Sequence, residues 1–198
     1  MGQGMSRVYV EKYKQKNART GGKGILLIGL DGAGKTTVCY QFLLGKHVHT
    51  VPTMGHNKET LKHEGKKYDF FDVGGSMLVR ETWRLYAKAA DCIIFVVDAH
   101  DRSRIPEAAE SLKKLFFGED YEAAAAKSKS VNSTAYDIPL LVLANKQDLA
   151  DPMNSDEIEK ALDLASLPVR SRIVIPTDAK NGENIQAALM WLTGELAK

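Results

Sequence analysis

Cysteine is scarce in this chain. Cys39 and Cys92 are the two among 198 residues. Their spacing suits neither a zinc site nor a disulfide framework, so both read as core thiols of a reducing compartment. Long apolar runs are missing too. The longest, Cys92–Val97 and Leu140–Ala144, are far short of the ~20 residues that cross a bilayer. No secretory signal pattern is visible, so a cytoplasmic location is expected. A strong charge of either sign is also lacking. A net charge of +2 argues against a nucleic-acid binder that works by bulk charge. What remains is an ordinary globular composition, 44% hydrophobic and 26% charged, on a length that suggests one domain with its own core.

Five short apolar runs punctuate the sequence: Ile25–Ile28, Tyr68–Phe71, Cys92–Val97, Leu140–Ala144 and Arg172–Ile175. Apolar residues fill consecutive positions, so each run reads as a buried strand of a parallel sheet. The stretch from Asn57 to Phe71 reads as a hairpin of two polar strands turning at Glu64-Gly65-Lys66. Val79, Trp83, Tyr86 and Ala90 recur at helical spacing. Pro106 suits the first turn of a helix running to about Phe117. Asn154 and Glu157 form a capping box ahead of Ile158–Leu164, and a last helix is expected from about Glu183 to Leu196. The alternation implies an α/β fold: a doubly wound, mostly parallel sheet with one antiparallel edge strand. Residues 118–137, rich in Ala, Ser and Lys, read as a surface insert.

One constellation carries chemistry. Gly29-x-x-x-x-Gly34-Lys35-Thr36 follows the first strand and opens a helix. Glycines let backbone N–H groups curl around phosphate oxygens, and the helix N-terminus adds its positive end. Lys35 can reach the phosphates and the Thr36 hydroxyl can coordinate Mg²⁺. "ANKQD", Ala144 to Asp148, ends a buried strand, where a doubly wound sheet places its ligand. Asp148 can accept two hydrogen bonds from the N1–H and 2-amino groups of guanine, a pair that adenine cannot supply. Asn145 can bond N7 and tie loops together, and Lys146 can lay its stem on the base. An ATP-dependent kinase built on the same phosphate loop would not need these residues.

With "GLDGAGKTT", "VPTMG", "DVGG", "ETWRLY", "VVDAHDRSR" and "LANKQDL" in order, the chain resembles the Ras-like small GTPases, specifically the Arf/Arl branch, from about Gly24 onward. The resemblance implies GTP or GDP with Mg²⁺ as bound cofactors. It places Gly29, Asp31, Gly32, Ala33, Gly34, Lys35, Thr36 and Thr37 around the phosphates. It gives Thr53 to Mg²⁺ and the γ-phosphate and Asp72 to a magnesium-bound water. Gly75 N–H would go to the γ-phosphate, and Ala179 N–H, followed by Lys180, to guanine O6. Lys35, Thr53, Gly75 and Ser76 stand where the catalytic machinery is expected. His56, Phe71, Trp83 and Tyr86 match an exposed effector surface. Effector, exchange-factor and activating proteins are the implied partners of a monomeric switch in vesicle trafficking or membrane organisation, at the Golgi or another endomembrane.

Three departures qualify that resemblance. Ser76 stands where the family usually carries the Gln that orients the attacking water, which implies slow intrinsic hydrolysis or, alternatively, a GTP-binding adaptor with little hydrolysis. His56 replaces the usual Phe, and Asp178 the usual Ser or Cys. His47 and His49 read as loop residues. The N-terminal arm, residues 1–23, is basic: residues 1–24 hold Arg7, Lys12, Lys14, Lys16, Arg19 and Lys23 against Glu11. Met1-Gly2-x-x-x-Ser6 fits the N-myristoylation pattern at Gly2. One acyl chain with basic residues alongside would give peripheral membrane attachment.

Overall fold

The computed structural model describes residues 21–118 and 136–198. The N-terminal arm with Gly2, and the body of the insert, therefore lie outside the described residues. Among the described residues, six strands form one sheet: β1 (Lys23–Ile28), β2 (His56–His63), β3 (Lys66–Val73), β4 (Cys92–Asp98), β5 (Tyr136–Asn145) and β6 (Val169–Pro176). Their spatial order is β2-β3-β1-β4-β5-β6. β1 runs parallel to β3 and β4, β4 to β5, and β5 to β6, while β2 pairs antiparallel with β3 from His56↔Val73 to His63↔Lys66. The expected sheet is present.

Successive side chains of a strand point to opposite faces, so a strand covered on both faces is apolar throughout. β1 shows this directly. Leu26 and Ile28 join one core with Phe95, Trp83, Leu112 and Phe116. Ile25 and Leu27 join the other with Val38, Phe42, Phe70 and Leu189. Helices α1 (Lys35–Leu44), α2 (Met77–Arg80), α3 (Trp83–Ala87), α4 (Ile105–Phe117), α5 (Ser155–Ala161) and α6 (Ile185–Glu195) surround the sheet. Pro106 sits in the first turn of α4. The capping box before α5 is complete: Asn154 Oδ1 accepts from Glu157 N–H at 3.0 Å, and Glu157 Oε2 from Asn154 N–H at 2.9 Å.

The structure corrects five expectations. The hairpin is not polar on both sides, because β3 is buried from Tyr68 to Val73 and only β2 stays part-exposed. The Val79–Ala90 periodicity is two short helices. Thr82 Oγ1 donates to Val79 O at 2.6 Å and closes the first one, a local bond that competes with helix continuation. α5 stops at Ala161, and a single 3₁₀ turn follows at Leu164–Ser166. β6 is an edge strand and only part-buried.

Trp83 is the fifth. It is 1% exposed, its Nε1–H donates to Gly74 O at 3.0 Å, and its ring meets Phe95 edge-on at 6.2 Å. Phe71 and Tyr86 are 9% and 8% exposed. These aromatics form core rather than an exposed cluster. Trp83→Ala is therefore expected to cost about 3–5 kcal/mol in urea unfolding. A cost below about 0.5 kcal/mol, normal for a surface residue, would contradict this placement.

Candidate functional site

The loop Gly29–Gly34 leaves the carboxyl end of β1 and enters α1 through Gly34, which has φ 94°. A Cβ at Gly34 would lie 2.4 Å from Asn145 Nδ2, so the position requires glycine for space as well as for backbone angle. Lys35 is 6% exposed and its ammonium donates to Leu30 O at 2.9 Å. Burial lowers its pKa to about 8, against the opposing pull of the Asp72 and Asp31 charges. A cation held this way fits an anionic ligand that the loop itself does not supply.

Thr36, Thr53 and Asp72 come from α1, the loop before β2 and the end of β3, yet their oxygens converge. Thr36 Oγ1–H donates to Asp72 Oδ2 at 2.6 Å, and Thr53 Oγ1 lies 3.0 Å from Thr36 Oγ1 and 3.4 Å from Asp72 Oδ2. Burial raises the Asp72 carboxyl pKa, and the hydroxyls and Lys35 oppose that shift. Asp72 Oδ1 is buried with no hydrogen-bond partner. Two hydroxyls and one carboxylate with an unmatched oxygen suit a hard cation such as Mg²⁺, which completes its shell with water and phosphate oxygens rather than a protein cage.

On the other flank, Gly74 N–H donates to Gly55 O at 2.8 Å, and Gly75 packs on the phosphate loop. A Cβ on Gly75 would fall 2.3 Å from Asp31 N and Gly29 O. Ser76 is exposed and its hydroxyl makes no cap bond to α2. Sequence reasoning missed what fastens this corner. Arg80 Nε–H donates to Gly75 O at 2.5 Å, while its other nitrogens meet Glu107 at 2.7 Å and Asp31 at 3.4 Å. Arg104 contacts the same two acids at 2.9 Å each. The Arg104 hydrogen bond is the main cause of the lowered pKa of both Asp31 and Glu107. The four charges join the phosphate loop, α2 and α4. No spacing rule exposes such a cluster, because its members lie up to 76 positions apart.

Where the resemblance puts the base there is a cavity of about 180 Å³ between the loops after β5 and β6, lined by Asn145, Lys146, Asp148, Ala179 and Lys180 with Thr37 of α1. His47, expected as a loop residue, lines it too. Asn145 Nδ2 donates to Ala33 O at 2.9 Å, and its Oδ1 accepts from Ala179 N–H at 3.0 Å. Lys146 donates to Asp98 Oδ2 at 2.6 Å, and Lys180 Nζ lies 3.8 Å from Asp148. The Asp178 carboxylate accepts the N–H groups of Lys180 and Asn181 at 2.9 and 3.1 Å, which explains an acid at the departing position. His56 sits beside Tyr86 with ring centroids 5.5 Å apart. Among the described residues, the exposed apolar side chains flanking Thr53 and following Ser76 are Val51, Met54, Met77 and Leu78, none of them anticipated from the sequence.

Both the anion cradle and the base cavity open at the carboxyl ends of the parallel strands, where doubly wound sheets take nucleotides. This sets the molecule among the P-loop nucleotide-binding proteins. Comparison with known proteins narrows the class. The model of the ADP-ribosylation factor family matches residues 8–196, so the chain belongs to that family of GTP-binding, GTP-hydrolysing switches. It is similar to a solved structure of the small GTPase Arl6 (BBS3) from Trypanosoma brucei, bound to the nucleotide analogue GppNp. That similarity has a TM-score of 0.74 and 26% identity, over 88% of this chain and 97% of that one.

Arg80→Ala is expected to speed amide hydrogen exchange over residues 74–80 about tenfold, the loss of one charge-assisted hydrogen bond, with β1 and β4 unchanged. Unchanged exchange at 74–80 would reduce the four-charge cluster to surface pairs of negligible weight.

Proposed function

We propose that this protein is a GTP-controlled switch that recruits effectors to a membrane surface, with slow intrinsic hydrolysis. The observation that carries the reading is the convergence of Thr53 with Thr36 and Asp72 while Gly75 lies on the phosphate loop. Thr53 and Gly75 belong to the two segments that GTP orders and hydrolysis releases. Thr36 and Thr53 would hold Mg²⁺ directly and Asp72 through a water. The ion supplies charge neutralisation at the phosphate oxygens. Gly29, Asp31, Gly32, Ala33, Gly34 and Thr37 line the phosphate side with Lys35. Gly75 N–H is the γ-phosphate contact. Asp148 reads the N1–H and 2-amino edge of guanine, Lys146 covers the base, and Ala179 N–H, beside Lys180, takes O6.

The slow step follows from Ser76. Its side chain ends one bond past Cβ and is turned to solvent. It cannot place a hydrogen-bond acceptor where a glutamine would orient water. An activating protein can supply the missing charge stabilisation from outside. Effector contact is assigned to the exposed Val51, Met54, Met77 and Leu78 with His56, since exposed apolar side chains around switch segments mark interaction surfaces. The basic arm, myristoylated at Gly2, provides membrane attachment, in trafficking or membrane organisation at the Golgi or another endomembrane. A second reading, an adaptor that barely hydrolyses, is favoured by the same Ser76.

Single-turnover hydrolysis of bound GTP tests both. Wild type is expected to be slow, and Ser76→Gln to raise the rate about tenfold or more, a barrier change of about 1.4 kcal/mol or more. A wild type as fast as the Gln variant would overturn the argument from side-chain reach. No turnover with any activating protein would favour the adaptor. GTP is expected to be displaced by GDP and not by ADP; equal competition would overturn the guanine assignment.

A further inference from the structure

Gln41 is on α1 and played no part in the sequence argument. It is 4% exposed. A buried carboxamide is costly unless its polar atoms are engaged. Its Nε2–H donates to Ala179 O at 2.8 Å, across 138 positions of sequence. Its Oε1 faces Gly182, where an added Cβ would stand 3.4 Å away. On the other side of the same residue, Ala179 N–H is held by Asn145 Oδ1 at 3.0 Å. Both peptide planes flanking the Ala179 Cα are therefore pinned, one from β5 and one from α1. The loop is further braced by Gly182 N–H on Asp178 O at 2.7 Å.

We propose that Gln41 is a positioning residue for base recognition: by holding Ala179 O it aims the Ala179 N–H at the 6-oxo group of the purine. This rests on the assignment of Ala179 N–H to guanine O6 above. That donor already serves Asn145 Oδ1, so a second acceptor must share it, and hydrogen bonds weaken steeply as their angle departs from linear. A small rotation of the 178–180 loop would leave the N–H on Asn145 and withdraw it from the base. Gln41 opposes that rotation from the helix that carries Lys35 and Thr36, so the base and phosphate halves of the site share one rigid support.

The test measures affinities for GDP, 6-thio-GDP and IDP on the full chain. Replacing O6 by the larger sulfur weakens that acceptor and keeps both the N1–H and the 2-amino group, while IDP lacks only the 2-amino group read by Asp148. In Gln41→Met, which keeps the length and loses the donor, the preference for GDP over 6-thio-GDP is expected to fall about tenfold. The preference for GDP over IDP should stay within about twofold. Gln41→His, whose Nε2 sits at the same remove from the backbone, is expected to retain both preferences. Should Gln41→Met not fold, Gln41→Ser, too short to reach Ala179 O, reads the same ratio. Equal weakening toward all three nucleotides, no change, or the same loss in Gln41→His as in Gln41→Met would overturn the proposal. A wild type that does not prefer GDP over 6-thio-GDP would instead overturn the O6 assignment itself.

Discussion

The site depends on one side chain amide. Asn145 sits at the end of β5, 3% exposed, and binds the phosphate loop through Ala33 O and the β6 loop through Ala179 N–H. It also explains why Gly34 is glycine, since any Cβ there would strike its Nδ2. The Gly29–Gly34 loop has few side chains with which to hold its own shape. Its conformation is imposed from β5, and the base loop is fixed by the same group. Removing the amide would leave buried backbone groups on both loops without partners, a cost that falls on the binding site rather than on the sheet.

Charge is organised around that frame in two ways. Lys35 is buried, and that burial lowers its pKa to about 8. A phosphate placed beside it favours the charged form and opposes that lowering. Asp31, Arg80, Arg104 and Glu107 form the second arrangement, at the part-exposed rim. Exposed ion pairs are individually weak, but these four share partners, and one of them also grips Gly75 O. The corner that carries Ser76 is thus restrained by charges from three separate elements.

The sheet was legible because a strand buried on both faces leaves an unbroken apolar run, as in Ile25–Ile28 and Cys92–Val97. The capping box was legible because it is local. The phosphate loop was legible because glycine spacing reports backbone need directly. Other features depended on tertiary contacts. The periodicity of Val79, Trp83 and Tyr86 cannot show that Thr82 closes a turn between two helices, or that the Trp83 indole seeks the Gly74 carbonyl. Resemblance suggested an exposed aromatic cluster, and burial against Phe95 put Trp83 inside. Gln41 looked like any polar helix residue, because its partner lies 138 positions away.

The two edges of the sheet differ from its middle in a way that bears on behaviour in a crowded solution. β1, β4 and most of β5 are almost free of charge, and each is flanked on both sides by other strands. β2 and β6, the outermost strands, carry Lys58, Glu59 and Lys62, and Arg170 and Arg172. An outer strand offers unpaired backbone groups to any passing extended chain, and charged side chains along it discourage that pairing. The same charges that break up the apolar runs of these strands guard the sheet against growing by strand addition. The chain can thus keep an aggregation-prone apolar centre while remaining resistant to self-association along its edges.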